Sequence, residues 1–326
     1  AQFIAVTITI FLGVTMFAAS YDSYQNLTAS YESTFTDFRI ANLTMSGGDV
    51  EGFANRVRAR EGVESIELRT VADIPLRVDG LKLLGRVVGL PTGTQPAVNQ
   101  VRIASGTYLA SGEPDTVLVE EHMADHFELT PGSTFEILGD NGWQEFVVGG
   151  VASSPEYIWP ARDRQEPITS PDNFGVAFVA EGTARGLVGA TGPNQVAVYY
   201  VDGADDAELS ASLLAEAADA GATLSFTRDE QPSNAALSED LKGFEELAIF
   251  FPAMFLAAAA MATYVMISRM VHAQQPHIGV LLANGFTRRQ VLRHYLGYGV
   301  VPGLAGAIPG AIAGVLLARV ITGLYT

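Results

Sequence analysis

Apolar residues gather in three long blocks of this chain and elsewhere are broken into short alternating runs. Residues 1–20 (AQFIAVTITIFLGVTMFAAS) and 247–268 (LAIFFPAMFLAAAAMATYVMIS) carry no charged side chain, and residues 294–318 carry only His294, at the edge. As helices rising about 1.5 Å per residue, each block is long enough to cross a hydrocarbon layer of roughly 30 Å. The pattern predicts three membrane-crossing helices with a folded segment between the first two.

Within that segment the periodicity predicts alternating elements. Tyr21–Asp37 continues the first helix outward as a polar stalk. Phe38–Met45 predicts a strand, and Asp49–Arg60 a helix capped by Asp49 and ended by Gly62. Val63–Thr70 predicts the next strand. Pro75–Val78 and Leu81–Val88 flank Asp79-Gly80, a tight-turn pair, and predict a hairpin. A second unit follows: a strand at Thr116–Glu121, a short helix at His122–Glu128, a turn at Thr130–Ser133 running into TFEILG, strands at Trp143–Ser154, Phe174–Ala180 and Gln195–Val201, and a helix at Ala204–Ala220. Thr223–Ser233 leads back toward the membrane, and Asn234–Glu246 is a helical lead-in to the second span. The expected fold class is membrane α-helical with three spans, plus an extracytoplasmic α+β domain in two subdomains. The expected boundaries are a first span at 1–20, the outer domain with its stalks at 21–243, a second span at 244–270, a cytoplasmic loop at 271–290 and a third span at 291–324.

Charge fixes the expected orientation. All 36 Asp and Glu lie between Asp22 and Glu246, with 14 of the 19 Lys and Arg, so that segment carries −22. Arg269, Arg288, Arg289, Arg293 and Arg319 make up the rest, without a single acid. Short Arg-rich loops stay in the cytoplasm. The loop between spans two and three is therefore placed inside, the acidic domain outside and the N-terminus inside, in a cell (inner) membrane. Arg319, near the outer interface, can snorkel. With no cysteine the outer domain needs a packed core of its own. Its acidity argues against nucleic acid as a partner. Ala18, Ala19 and Ser20 also suit a signal-peptide cleavage site, but two later spans favour a retained first span.

Enzyme chemistry finds no support. There is no G-x-x-x-x-G-K-[ST] phosphate loop, and the two lysines, Lys82 and Lys242, stand in no such setting. A cysteine nucleophile and a G-x-S-x-G elbow are both lacking. His122 and His126, four apart beside Glu121 and Asp125, form the one candidate zinc face; a short solvated helix explains them better, and no metal is expected. Asn26-Leu27-Thr28 and Asn42-Leu43-Thr44 match the glycosylation sequon, a weak pattern.

The inner loop is the most informative stretch. Pro276 can open a helix. Ile278, Leu281 and Leu282 form an apolar stripe, Asn284-Gly285 ends it, and Thr287 can cap a new helix beginning Arg288-Arg289. A plain interfacial connector fits this pattern; so does a docking helix for a cytoplasmic partner. In the third span, Gly299 and Gly303, then Gly306, Gly310 and Gly314, recur at small-xxx-small spacing and predict a helix-packing face. Pro302 and Pro309 are expected to kink that helix.

The run HIGVLLANGFTRRQVLRHYLGYG with LAGAIPGAIAG resembles the permease domain of MacB/FtsX-type ABC systems. His277 stands where that family usually has Glu, and Asn284 where it has Leu. VLVEEHMADHFELTPGSTFEI is similar to the strand–helix–strand of MacB-like outer domains, and FVVGGVASSPEYIW and SFTRDEQPSNAAL to the longer, ten-span members. The resemblance implies an ATPase-coupling role for Pro276, His277, Ile278, Leu281, Leu282, Asn284, Gly285, Phe286, Arg288 and Arg289. It also implies a cytoplasmic ABC ATPase partner that holds ATP and Mg2+, with no cofactor in this chain. A second permease half or copy is expected, because three spans leave a permease unfinished, and an extracytoplasmic lipoprotein or binding protein is a further partner. The implied function is ATP-driven mechanical transmission that extrudes or extracts a lipid, lipoprotein, peptide or drug. Two alternatives are an FtsX-like regulator of an extracytoplasmic cell-wall enzyme and a structural anchor without an ATPase.

Overall fold

The computed structural model describes residues 2–159, 161–163, 170–204 and 206–325. Ala1, in the expected first span, and Asp205, in the expected helix at Ala204–Ala220, lie outside the described residues. The helices are α1 (Gln2–Asp37), α2 (Val50–Val57), α3 (Glu121–His126), α4 (Glu181–Leu187), α5 (Asp206–Asp219), α6 (Pro232–Ala273), α7 (Gln275–Ala283) and α8 (Arg288–Tyr325). The strands are β1 (Leu43–Ser46), β2 (Val63–Arg69), β3 (Val71–Val78), β4 (Leu81–Leu90), β5 (Arg102–Gly106), β6 (Thr116–Glu120), β7 (Thr134–Gly139), β8 (Gly142–Ser153), β9 (Phe174–Ala180), β10 (Gln195–Tyr200) and β11 (Leu224–Thr227). Two compact units emerge: Ala1–Tyr31 with Glu239–Thr326, and Glu32–Ser238.

In the first unit, α1, α6 and α8 each hold a stretch long and apolar enough to cross a membrane. The polar stalks continue these helices without a break: α1 has 36 residues and α6 has 42, about 54 and 63 Å at the helical rise. Large apolar side chains such as Met261, Val301 and Ile312 point outward, whereas small residues meet between helices. A Cβ built on Gly306 would stand 2.6 Å from the Thr7 carbonyl oxygen, and one on Gly310 2.8 Å from that of Phe11. On Gly314 it would stand 2.5 Å from the Ala18 Cβ, while Gly299 faces Ile267 of α6 at 3.2 Å. Gly303 meets nothing within 4 Å. Thr15 Oγ1 donates to the Phe11 carbonyl at 2.7 Å and to that of Gly310 at 3.2 Å, a cross-helix bond made where the backbones are close. Pro302 and Pro309 sit inside one continuous helical element.

The second unit contains two sheets. The four-stranded one has the order β11-β1-β10-β2, all antiparallel, with α2 and α5 on one face. This is the split βαβ of ferredoxin-like sheets, and Leu43, Met45, Phe53, Val57, Val198 and Leu213 form its core. Asp49 caps α2 as predicted, its carboxylate accepting from Gly52 N at 2.8 Å. Strands β3 to β9, inserted between β2 and β10, form the second sheet, β5-β8-β6-β9-β4-β3-β7. Because β7 pairs with both β3 and β8, six of these strands close into a barrel. Leu76, Val119, Phe135, Ile137, Phe146 and Val179 lie in its core. The Asp79-Gly80 turn has positive φ at both residues, 48° and 81°, as its tight hairpin requires.

Several elements differ from expectation. Phe38–Asn42 is not strand; β1 begins only at Leu43. Arg39 instead takes a left-handed φ of 53°, with Ile40 N donating to the Phe35 carbonyl and Arg39 N to that of Thr36. That is a Schellman ending for α1 with arginine in the place usually held by glycine. The Arg39 side chain offsets the strain. It donates to the Ala97 carbonyl at 2.9 Å, Glu64 at 2.7 Å and Ser65 at 3.0 Å, and lies over the Tyr199 ring. The hairpin's first strand starts at Val71, before Pro75, because β7 pairs with β3 only at Leu76 and Arg77, so Pro75 owes that neighbour no N–H. Thr223–Ser233 contains a paired strand, β11, and β5 and α4 complete the barrel region without a counterpart in the expected elements. Asn42, in the second sequon, is buried and bonded to Asp206 and to Tyr200 N, which removes it as an acceptor.

Candidate functional site: the loop between the second and third long helices

The loop is a capped helix. Pro276 lies in the first turn of α7, where its missing N–H leaves no bond unmade. At the other end Phe286 N donates to the Leu281 carbonyl and Gly285 N to that of Leu282, both at 3.1 Å. Gly285 has φ of 90°, so the stop is a Schellman motif with glycine at the left-handed position. The Asn284 side chain adds a bond from Nδ2 to the Val280 carbonyl at 2.9 Å.

A few residues later α8 is opened by a capping box. Gln290 Oε1 accepts from Thr287 N at 2.8 Å, and Gln290 N donates to Thr287 Oγ1 at 3.4 Å. Thr287 is legible as the cap from the sequence. Gln290, three residues on, completes a T-x-x-Q signature that sequence reasoning missed. Tyr295 escapes it too: its hydroxyl donates to Gln274 Oε1 at 2.7 Å, tying α8 to the junction before α7.

Between these anchors α7 buries none of its residues. Ile278 and Leu281 are half-buried, and Val280, Leu282 and Phe286 are exposed. His277, Arg288 and Arg289 are exposed with them. No acid lies anywhere in residues 247–326, so the loop presents apolar, neutral polar and cationic groups and no negative charge. The site residues read from the sequence are thus gathered on one short element and its flanks, whereas along α8 Gly306, Gly310 and Gly314 face α1, Gly299 faces α6, and Gly303 faces neither, contrary to the packing role its spacing predicted.

The histidine pair is separated by its partners. Glu120 caps α3 with its carboxylate, accepting from His122 N at 2.9 Å, and bonds His122 Nδ1 at 2.8 Å. That hydrogen bond, opposed by desolvation, holds the His122 imidazole above its ordinary pKa. His126 Nε2 instead meets Asp172 Oδ1 at 2.6 Å. Among the described residues no group of three or more His, Asp or Glu could hold a metal ion.

Residues 249–326 match the family described as FtsX-like permease C-terminal. No curated protein matches the chain significantly. Among solved structures, the periplasmic region of MacB from Actinobacillus actinomycetemcomitans is similar at 13% identity, covering 61% of this chain and 91% of that one with a TM-score of 0.36. The extracellular domain of the noncanonic ABC-type transporter YknZ from Gram-positive bacteria is similar at 13% identity, 54% and 94% coverage and a TM-score of 0.36. A permease-protein domain from Porphyromonas gingivalis is similar at 14% identity, 56% and 84% coverage and 0.33. The last 78 residues, which hold α7, α8 and most of α6, are thus similar to the C-terminal segment of FtsX-like permeases.

Proposed function

We propose that the chain is the moving membrane subunit of an ATP-driven mechanical transmitter, with α7 as the helix that receives force from a cytoplasmic ATPase. One observation carries the reading: α7 is fixed at both ends yet leaves Val280, Leu282, the adjoining Phe286 and the basic flank exposed. A helix that only joined two spans would need no such double anchoring. A partner with an apolar groove and acidic rim fits the exposed chemistry.

In this reading ATP and Mg2+ are held by the partner and this chain does no hydrolysis. The N-terminus and α7 lie in the cytoplasm, and α1, α6 and α8 cross the bilayer. The acidic unit lies outside, carried on the continuous stalks of α1 and α6. Residues 1–20, 247–268 and 295–318 contain no Asp, Glu, Lys, Arg or His, whereas a path for polar solutes would call for such groups. Extrusion or extraction of a lipid, lipoprotein, peptide or drug at the outer face suits such a machine, which needs a second permease half or copy.

The test is co-purification of the full membrane complex with its ATPase, followed by ATPase and export assays on Leu281→Asp and Gly285→Asp. Loss of stimulated hydrolysis in both is expected. Wild-type coupling in both variants sinks the docking role of α7.

A further inference from the structure

One buried hydrogen-bonded circuit joins the four-stranded sheet, the barrel and the first turn of α6. Arg69, the last residue of β2, is buried, and so is Glu156, in the 3-10 turn Pro155–Tyr157 that follows β8. The guanidinium grips the carboxylate with two bonds, Nη1 to Oε2 at 2.6 Å and Nη2 to Oε1 at 2.5 Å, and Nε donates to Gln195 Oε1 of β10 at 2.7 Å. Gln195 Nε2 continues to Ser46 Oγ of β1 at 2.8 Å.

From Glu156 the circuit runs into α6. Its carbonyl accepts from Gln231 Nε2 at 2.7 Å, and Gln231 Oε1 accepts from Asn234 N at 2.8 Å. Ser233 Oγ accepts from Trp159 N at 2.8 Å. Gln231, Ser233 and Asn234 are all buried.

The two places where the chain crosses between sheet and barrel are pinned as well. Only Thr70 separates β2 from β3; its N and Oγ1 both donate to the Glu181 carboxylate, at 2.8 and 2.7 Å. At the return crossing Asn194 accepts from Val71 N and donates to the Val71 carbonyl.

Such a joint does not open in small steps. Burial disfavours the Arg69 charge, but the adjacent Glu156 charge and the paired bonds outweigh it and hold the guanidinium above its ordinary pKa. Parting the two would strand opposite charges in a water-poor interior.

We propose that the Arg69–Glu156 pair is a positioning lock that makes the barrel follow the first turn of α6, so that motion of α6 reaches the whole outer unit as one rigid displacement. This rests on the reading of α6 as a carrier of motion. The pair touches neither nucleotide nor cargo; it acts through the barrel it holds.

The cysteine-free chain allows the test by spin-label distances in the full complex in lipid nanodiscs. Labels go on Asn55→Cys of α2 and Leu81→Cys at the barrel hairpin, and on Leu81→Cys with Ser238→Cys near the start of α6. The wild type is expected to give one narrow distance peak for each pair, with or without nucleotide. In R69M/E156L, which replaces the ion pair by apolar side chains of similar bulk, both peaks broaden and export is lost, while the ATPase still binds and hydrolyses. Gln231→Met, which cuts the circuit outside the ion pair, broadens the second peak and keeps the test open if the double variant does not fold. Unbroadened peaks with full export in either folded variant overturn the lock. A wild type in which nucleotide moves no label on α6 relative to α7 overturns the transmitter reading instead, and leaves the peak widths to judge the lock.

Discussion

Gly310 lies so close to Phe11 that a methyl group on it would stand 2.8 Å from the Phe11 carbonyl oxygen. One turn away on either side, Gly306 and Gly314 make the same approach to Thr7 and to Ala18, whereas Gly303 faces open space. The glycines of α8 are therefore unequal. Gly310→Leu is expected to separate α8 from α1 and to cost about 1–3 kcal/mol as an overpacking change. Gly303→Leu is expected to leave thermal stability in detergent close to wild type. Equal losses in the two variants would refute the packing assignment.

Gly285 ends α7 with φ of 90°, and a methyl group added to it would meet no atom within 4 Å, so strain rather than crowding governs substitution there. Gly285→Ala is expected to cost about 1 kcal/mol, and Gly285→Asn less, because asparagine tolerates the left-handed region. Amide exchange at Gly285 and Phe286, whose N–H groups make the closing bonds, reads the fraying directly.

Arg39 sets strain against anchoring. Arg39→Ala keeps the unfavourable left-handed backbone and loses the contacts to Glu64, Ser65, the Ala97 carbonyl and Tyr199. Arg39→Gly loses the same contacts but relieves the backbone. Alanine is therefore expected to be the worse replacement, by about 1 kcal/mol. Denaturant midpoints of the two variants decide the order.

His122 gives the second unit, Glu32–Ser238, a pH dependence of definite sign. Its hydrogen bond to Glu120, opposed by partial desolvation and helped by Glu121 and Asp125, raises its folded pKa above 6.5. The stabilisation is complete below the unfolded value and fades as pH rises through the folded one. The melting temperature of the wild type should fall relative to His122→Gln on going from mildly acidic to alkaline buffer. An NMR titration of His122 with a midpoint below 6.5 would contradict this.

Removing one member of the Arg69–Glu156 pair strands a buried charge. Arg69→Met alone is expected to cost about 3–5 kcal/mol, and the double change with Glu156→Leu considerably less. A double variant no more stable than the single would show that the ion pair is not the source of the loss. Urea melts of the purified protein supply the comparison.

The sequence made some of this legible for physical reasons. A long apolar helix is written by an absence of charge, so the stretches of α1, α6 and α8 that are long and apolar enough to cross a membrane could be read directly, and Asp79-Gly80 announces its turn because few residues accept positive φ in succession. Thr287 and Gly285 announce caps in the same way. Arg39 could not be found, because nothing marks an arginine that will take a glycine's conformation. Spacing put Gly303 and Gly306 on comparable footing; only the neighbouring helix distinguishes them. Barrel closure through β7 and β8, and a bond between Arg69 and Glu156, 87 positions apart, depend on long-range pairing that no local pattern records.

Strands β1 and β11 lie side by side, Leu43 opposite Thr227 and Ser46 opposite Leu224, a few residues from the ends of α1 and α6. Slipping that ladder by a single step would turn Leu43 and Met45 out of their apolar layer and face them to the wrong side. Sliding of β1 along β11 is thus opposed by the apolar layer itself, and the ends of the two strands are held level with one another.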